Sequence, residues 1–320
     1  DEAVNWVVIH HLANIVSNSW GLSTDLASPG KANRDERIFM QATAEGIGLN
    51  FSSGDNGDEL ANTGVKSVDY PASSPWVTAV GGTSLFLNND NGYNFETAWG
   101  TGFQRLYSCA AYTTNSSTGL RECSSYKPTP LDLGFDGGAG GGLSYNFAGQ
   151  PWQSAISGMN AGGFGTVGTH RAVPDVGLLA DPYTGANVYI TDLSAGDTKP
   201  EIEPYGGTSV ACPLFAGVMA LVDQARANKG LDHAGLAAQY LYNLPSGAVR
   251  DVSTPPAGVG NPVAGDSNAF ALYYGSRYSG TFFSPSFDQD SSLTATSGWD
   301  DTTGVGTPYA PSFVAALSNG

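Results

Sequence analysis

The stretch Gly206-Gly207-Thr208-Ser209-Val210-Ala211-Cys212-Pro213, with the apolar run Leu214 to Val222 behind it, constrains this chain more than any other. Two glycines, a threonine and a serine stand directly ahead of a helix-period pattern of Val210, Pro213, Leu214, Gly217, Val218 and Leu221. The junction puts a serine hydroxyl in the first turn of a helix apolar enough to be expected inside. Backbone N–H groups at a helix start lack partners and carry the positive end of the helix dipole, so negative charge developing there is stabilised. A serine before a helix reads first as an N-cap. Here the apolar helix, and glycines that permit close backbone approach, favour a nucleophile.

The rest of the chain has to support such a site. Its 320 residues fit one large α/β domain spanning 1–320, and a hydrophobic fraction of 41% can build a core. No apolar run looks long enough to cross a membrane. With 29 acidic against 13 basic residues the net charge is −16, yet only 13% of residues are charged. Such a surface suits a secreted protein working in acid, where carboxylates are partly neutralised. Without a basic patch to meet phosphates, nucleic acid is excluded as a partner. Cys109 and Cys123 sit in a polar segment, whereas Cys212 lies in the apolar helix start. One Cys109–Cys123 disulfide plus one inert buried thiol is the simplest accounting, with free thiols at 109 and 123 as the alternative.

In order, the patterns predict a helix over 1–12, a strand over 15–20, a helix over 35–47 and a strand over 48–53. A further strand is expected over 77–84. Apolar strands alternating with helices imply a mostly parallel central sheet with helices on both faces. A helix leading into an interior parallel strand is normally the second half of a crossover. The chain is therefore expected to begin partway into its domain, with an N-terminal portion elsewhere. Residues 85–138 read as a surface insertion of weak pattern, closed by Gly140-Gly141-Gly142-Leu143-Ser144. A hairpin-like stretch over 187–192, a helix over His233–Asn243 and a C-terminal helix from Pro311 complete the expectation.

Asp55, in Ser52-Ser53-Gly54-Asp55-Asn56-Gly57, follows a parallel strand at its C-terminal end, where open α/β sheets place ligands. Between glycines it could equally be a turn former. Taken with Gly207-Thr208-Ser209-x-Ala211-x-Pro213, it resembles the sedolisins (serine-carboxyl peptidases) of the subtilisin-like clan. Arg171-x-Val173-Pro174-Asp175-Val176, Ala180-Asp181-Pro182-x-Thr184-Gly185 and Gly298-Trp299-Asp300-Asp301-Thr302-Thr303-Gly304 resemble further sedolisin segments. The resemblance runs from Asn14 to Pro308. It implies a subtilisin-like fold and a secreted, acid-active endopeptidase acting on polypeptides through a Ser209 acyl-enzyme.

By the same resemblance, Asp55 would stabilise the oxyanion. An aspartic acid can donate that hydrogen bond only when protonated. Ser19-Trp20-Gly21 and Gly140, Gly141 and Gly142 would form the two edges that bind substrate. One structural Ca2+ would take carboxylates from Asp251 and Asp300 and carbonyls from Val252, Thr296 and Gly298. Two departures stand out: the family usually has Gly where Thr296 stands, and Asp251-Val252-Ser253 runs into Thr254-Pro255-Pro256.

Sedolisins activate the serine with a Glu held by an Asp on a helix well before Ser19, and no such helix is present. Asp1-Glu2 and Asp35-Glu36 read as first-turn acids of helices rather than as that pair. None of His10, His11, His170 and His233 stands where a subtilisin base would. A carboxylate base is thus expected, on a second chain or a cleaved N-terminal segment of the same precursor. The alternative is a catalytically inactive relative kept for binding. An esterase elbow is disfavoured because Gly207-Thr208-Ser209-Val210-Ala211 lacks the second glycine.

Overall fold

The structure, a computed structural model, describes residues 2–25, 29–117, 119, 121–156, 169–191, 199–253, 282–287 and 292–319. Asp1, position 192 of the expected hairpin and Thr254-Pro255-Pro256, named above, lie outside them. The elements in chain order begin with α1 (Glu2–Ile9), β1 (Ile15–Asn18), α2 (Pro29–Ala44), β2 (Gly48–Ser52), α3 (Leu60–Thr63), β3 (Thr78–Leu87) and β4 (Tyr93–Ala98). There follow β5 (Gly100–Thr114), β6 (Arg121–Gly138), β7 (Gly142–Ala148), β8 (His170–Val173), β9 (Val176–Leu179), β10 (Ala186–Ile190) and β11 (Glu201–Tyr205). The last part contains α4 (Thr208–Ala227), α5 (Ala238–Leu241) and α6 (Ala310–Leu317).

β1, β2, β3 and β9 pair in parallel, and β4 runs antiparallel to β3. Because Thr83 pairs with both Leu179 and Ala98, β9 and β4 lie on opposite sides of β3. The strict alternation of a pleated strand then assigns two faces. Val16, Leu49, Phe51, Val77 and Ala79 pack with Val4, Val8, Phe39 and Ala42 of α1 and α2. Ile15, Val80 and Val176 pack instead with Ala211, Cys212, Phe215, Met219 and Val222 of α4. Helices therefore cover both faces of a mostly parallel sheet, as the sequence predicts.

Four expectations need correction. α2 starts at Pro29, six residues earlier than predicted, so Asp35 and Glu36 fall beyond its first turn and point into the protein. The 85–138 insertion is built largely of strands, with β4 on the central sheet. β5 and β6 form a long antiparallel hairpin, and Cys109 and Cys123 are joined in it with S–S 2.11 Å. The His233–Asn243 helix shrinks to α5, because Gly235 adopts φ +64° and breaks the turn before it. Finally, α4 is not wholly interior. Leu214 and Leu221 on its outer side are exposed, while its other side is buried on the sheet. By length and composition alone α4 could cross a bilayer, contrary to the expectation from apolar runs, but its packing on β1, β2, β3 and β9 is that of a core helix. Of the hairpin expected over 187–192, residues 187–190 belong to β10, whose antiparallel partner β11 lies beyond that stretch.

One buried ion pair ties β8, β9 and β3 together. Arg171 Nη1 and Nη2 donate to the two oxygens of Asp175 at 2.8 and 2.6 Å. Tyr242 Oη donates to the same carboxylate at 2.6 Å and the Ala79 N–H at 2.7 Å. Burial without partners would be costly for either charge, and here every oxygen of Asp175 is satisfied. Removing one member leaves the other uncompensated, so Asp175→Ala is expected to cost about 3–5 kcal/mol in chemical denaturation.

Candidate active site

β2 ends at Ser52, and the chain turns through Ser53 and Gly54 to present Asp55 at the C-terminal edge of the sheet. α4 begins opposite it. Its Thr208 N–H and Thr208 Oγ1 both donate to Asp55 Oδ1, at 2.8 and 2.7 Å. Thr208 Oγ1 also lies 3.2 Å from the Gly54 N–H. An aspartate therefore caps the Ser209 helix from a separate loop, and its favourable charge meets the positive helix end. The residue between them must be glycine. Gly207 has φ +89°, and a Cβ there would sit 2.8 Å from Asp55 Oδ2.

Asp55 and Ser209 are both exposed, whereas Ser53 and Thr208 beside them are buried. The site thus presents to solvent, among the described residues, a hydroxyl, one carboxyl oxygen without a hydrogen-bond partner and a helix N-terminus. Among the described residues, no carboxylate or imidazole hydrogen-bonds the Ser209 hydroxyl; Ser209 instead accepts through its carbonyl from Ser19 Oγ at 3.0 Å.

The residues expected to line two edges flank this point. Ser19 touches Ser209 as described, and half-exposed Trp20 stands edge-on to Phe51 at 5.2 Å. Leu22, just after Gly21, exchanges backbone hydrogen bonds with Tyr70 at 2.7 and 3.1 Å. On the other side the Gly140 N–H donates to the Gly54 carbonyl at 2.9 Å, Gly141 packs on the Asp301 carbonyl, and Gly142 opens β7 against Val173. Asp25, a residue the sequence did not single out, bridges these edges. Its Oδ2 accepts from Ser144 Oγ at 2.5 Å and from the N–H groups of Tyr145 and Asn146 at 2.8 and 3.3 Å.

The histidines lie apart from the serine. His170 Nδ1 contacts the Ser144 carbonyl at 2.9 Å, His233 contacts Asp223 and Asn14, and His11 contacts Glu45. Cys212 is buried, and burial pushes its thiol up, which makes it an inert core residue.

The residues expected to hold calcium are split between two turns. Asp251 accepts the Gly298 N–H at 3.0 and 3.1 Å and Ser297 Oγ at 3.0 Å. Asp300 is fully buried. Its Oδ1 accepts the N–H groups of Thr302 and Thr303 at 2.9 and 2.7 Å, and its Oδ2 accepts Thr303 Oγ1 at 2.8 Å. Burial pushes the Asp300 carboxyl up to about 8. Val252 is buried, while Thr296 and Gly298 are exposed. The donor set is all oxygen, which suits a hard cation in kind. No group of three His, Cys, Asp or Glu side chains poised for a metal occurs among the described residues.

Comparisons with known proteins agree with this geometry. The profile described as the subtilase family matches residues 1–252. Sedolisin of Pseudomonas sp. (strain 101) is 30% identical over 269 residues, covering 81% of this chain and 38% of that protein. Kumamolisin of Bacillus sp. (strain MN-32) is 29% identical over 309 residues, 96% of this chain and 43% of the relative. The chain thus spans about two-fifths of the length of these relatives. Among solved structures, Pseudomonas sedolisin (serine-carboxyl proteinase) complexed with two molecules of pseudo-iodotyrostatin superposes with a TM-score of 0.63 at 27% identity, over 99% of this chain and 68% of that one.

Away from the two metal-candidate turns, burial raises several carboxyls. Glu36, which accepts from Ser74 Oγ at 2.8 Å, goes from an ordinary 4.5 to about 7. Asp69 goes from 3.8 to about 9, while Asp25, Glu96 and Asp181 are raised for the same cause. A raised carboxyl holds its proton in the folded state after the unfolded chain has released it. Its stabilisation is complete below the unfolded value and lost as pH rises through the folded one. The melting temperature is therefore expected to fall between pH 4 and pH 9, by ~5 °C or more. A melting temperature that rises over that range in scanning calorimetry would contradict the assignment.

Proposed function

This chain belongs to the subtilase family, and we propose that it is the serine-bearing part of a secreted, acid-active endopeptidase of the sedolisin (serine-carboxyl) type. The convergence of Asp55 and Ser209 on the start of α4 carries this reading.

In the proposed reaction Ser209 Oγ attacks the carbonyl carbon of a peptide bond laid between the Ser19-Trp20-Gly21 and Gly140–Gly142 edges. As the C–O bond forms, the carbonyl oxygen takes up negative charge. The Ser209 N–H, at the positive end of α4, donates to that oxygen. Asp55 Oδ1 is occupied by Thr208, which leaves Oδ2 to donate when it carries a proton. Collapse of the tetrahedral intermediate expels the amine, protonated by the general acid, and leaves the acyl-enzyme for water to cleave. The proton-carrying pair in this reading is a Glu and an Asp outside these 320 residues, which takes the Ser209 hydroxyl proton as the C–O bond forms and returns it to the leaving amine.

Secretion is supported by the Cys109–Cys123 disulfide, which persists in oxidising compartments. Acid activity is supported by the excess of acidic over basic residues and by buried carboxyls that favour their protonated forms. A structural Ca2+ would be held by Asp251 and Asp300, with carbonyls of Val252, Thr296 and Gly298, and would tie the Asp251 and Gly298–Gly304 turns together.

In a preparation containing the Glu/Asp segment, Ser209→Ala is expected to lower kcat by at least ~10³-fold at unchanged melting temperature. Persistent cleavage by the variant would remove Ser209 from the mechanism. Asp55→Ala is expected to lower kcat ~10²–10³-fold, the usual cost of one lost oxyanion donor. Chelation with EDTA should lower the melting temperature through loss of bound cation, and an unchanged value would argue against the calcium site.

A further inference from the structure

Away from the Asp55–Ser209 cleft, a cavity of about 320 Å³ opens where the outer side of α4 meets β3, β4 and β9. Its walls are largely aliphatic: Leu85 of β3, Leu178 and Leu179 of β9, and Leu214 and Val218 of α4. Leu214 stands about 8 Å along the helix axis from Ser209. Even so, no residue of the two substrate edges or of the Asp55 loop lines this cavity. Its volume falls at the small end of ligand-sized cavities, about 300–1,000 Å³, which suits a short chain rather than a large cofactor.

Arg250 brings a cation to the cavity. It lies in a short strand, Val249–Arg250, antiparallel to Thr307–Pro308, and is half-buried. Its guanidinium carbon is 4.2 Å from the centre of the Tyr93 ring and 4.7 Å from that of Tyr309. Stacking on aromatic faces holds the group in place without using its N–H donors. Among the described residues, none of those donors meets a hydrogen-bond acceptor or a carboxylate at ion-pair distance. A guanidinium fixed in this way beside apolar walls is suited to a paired, two-bond contact with a carboxylate.

Glu96 of β4 lines the same cavity. Its Oε1 accepts Thr83 Oγ1 at 2.9 Å, and its Oε2 accepts Thr307 Oγ1 at 2.7 Å. Each oxygen keeps a second lone pair for a further N–H. Burial pushes the Glu96 carboxyl up, against the pull of the two threonines and of Arg250, so it is a weakened counter-ion for that guanidinium. A fatty acid would use Arg250 and the leucines but would bring only a second carboxylate towards Glu96. The last residue of a peptide matches all the groups: a carboxylate for Arg250, an amide N–H for Glu96 and an aliphatic side chain for Leu178, Leu179 and Leu214. We propose that this cavity binds the C-terminal residue of a peptide that ends in an aliphatic side chain and a free carboxylate. The assignment uses neither Ser209 nor Asp55, and it stands apart from the peptidase reading.

Isothermal titration calorimetry of the whole chain with the tripeptide N-acetyl-alanyl-leucyl-leucine tests this. The free acid should bind at least about tenfold more tightly than its C-terminal amide, which has no charge to pair with Arg250. Arg250→Gln should erase that preference. Leu214→Glu, at an exposed position of α4, sets a rival carboxylate at the site and should weaken binding of the free acid about tenfold or more at unchanged melting temperature. Methyl NMR locates the ligand: shifts should gather on Leu85, Leu178, Leu179, Leu214 and Val218. Equal binding of acid and amide, a preference kept by folded Arg250→Gln, undiminished binding by Leu214→Glu, methyl shifts elsewhere, or tighter binding of octanoate or free leucine would each overturn the proposal. The same titrations on Ser209→Ala should be unchanged although peptide hydrolysis is lost, so failure of this site and failure of the peptidase reading are recognised separately.

Discussion

The contact between Asp55 and the first residue of α4 is the interaction on which the rest of the site depends. Asp55 arrives at the end of a sheet strand, and Thr208 opens a helix more than 150 residues later in the chain. Two hydrogen bonds at 2.7 and 2.8 Å to one carboxyl oxygen join them. The bonds fix the helix start, and so the Ser209 N–H and hydroxyl, in relation to the sheet. They also commit Oδ1 and leave Oδ2 free. The packing beneath makes this rigid: the inner side of α4 lies on β1, β3 and β9 through Cys212, Phe215 and Met219, and the Gly140 edge is bonded to the Gly54 carbonyl. Preorganisation of this kind lets a donor act on a transition state without reorganising at the moment of reaction.

A second theme is electrostatic. With few basic residues, the chain buries carboxyls that lack a cation, and folding then favours their protonated forms. The buried pair with full compensation, Arg171 and Asp175, sits in the structural core between β8 and β9. The uncompensated groups concentrate nearer the cleft: Asp69 and Asp25 at its edges, and Glu36 under Tyr70. Folding of these groups is thus favoured by acid.

Much of this was legible in the residues because the signals are local. Glycines ahead of an apolar helix marked Ser209, a glycine-flanked aspartate after an apolar strand marked Asp55, and short apolar runs marked β2 and β3. What escaped had non-local causes. The β5–β6 hairpin projects into solvent on both faces over much of its length, so its sequence lacks the apolar–polar alternation by which strands are recognised. Periodicity around His233 looked helical, but a left-handed Gly235 and the His233 contacts to Asp223 and Asn14 hold that segment as loop. Asp25 and Asp69 each resemble a turn acid. Nothing in their local sequence reveals that the fold turns them inward. The pleat also explains α4: the sheet covers one side of the helix only, so an apolar composition did not imply complete burial.

The most direct test of the central assignment is peptide mapping by mass spectrometry of enzyme quenched in acid during turnover of a peptide substrate, with every polypeptide in the sample sequenced. An acyl adduct on the peptide containing Ser209, in a sample that also holds a segment carrying a Glu and an Asp on one helical face, is the predicted result. Hydrolysis with the adduct on another residue, or an adduct at Ser209 without any such segment, would contradict it.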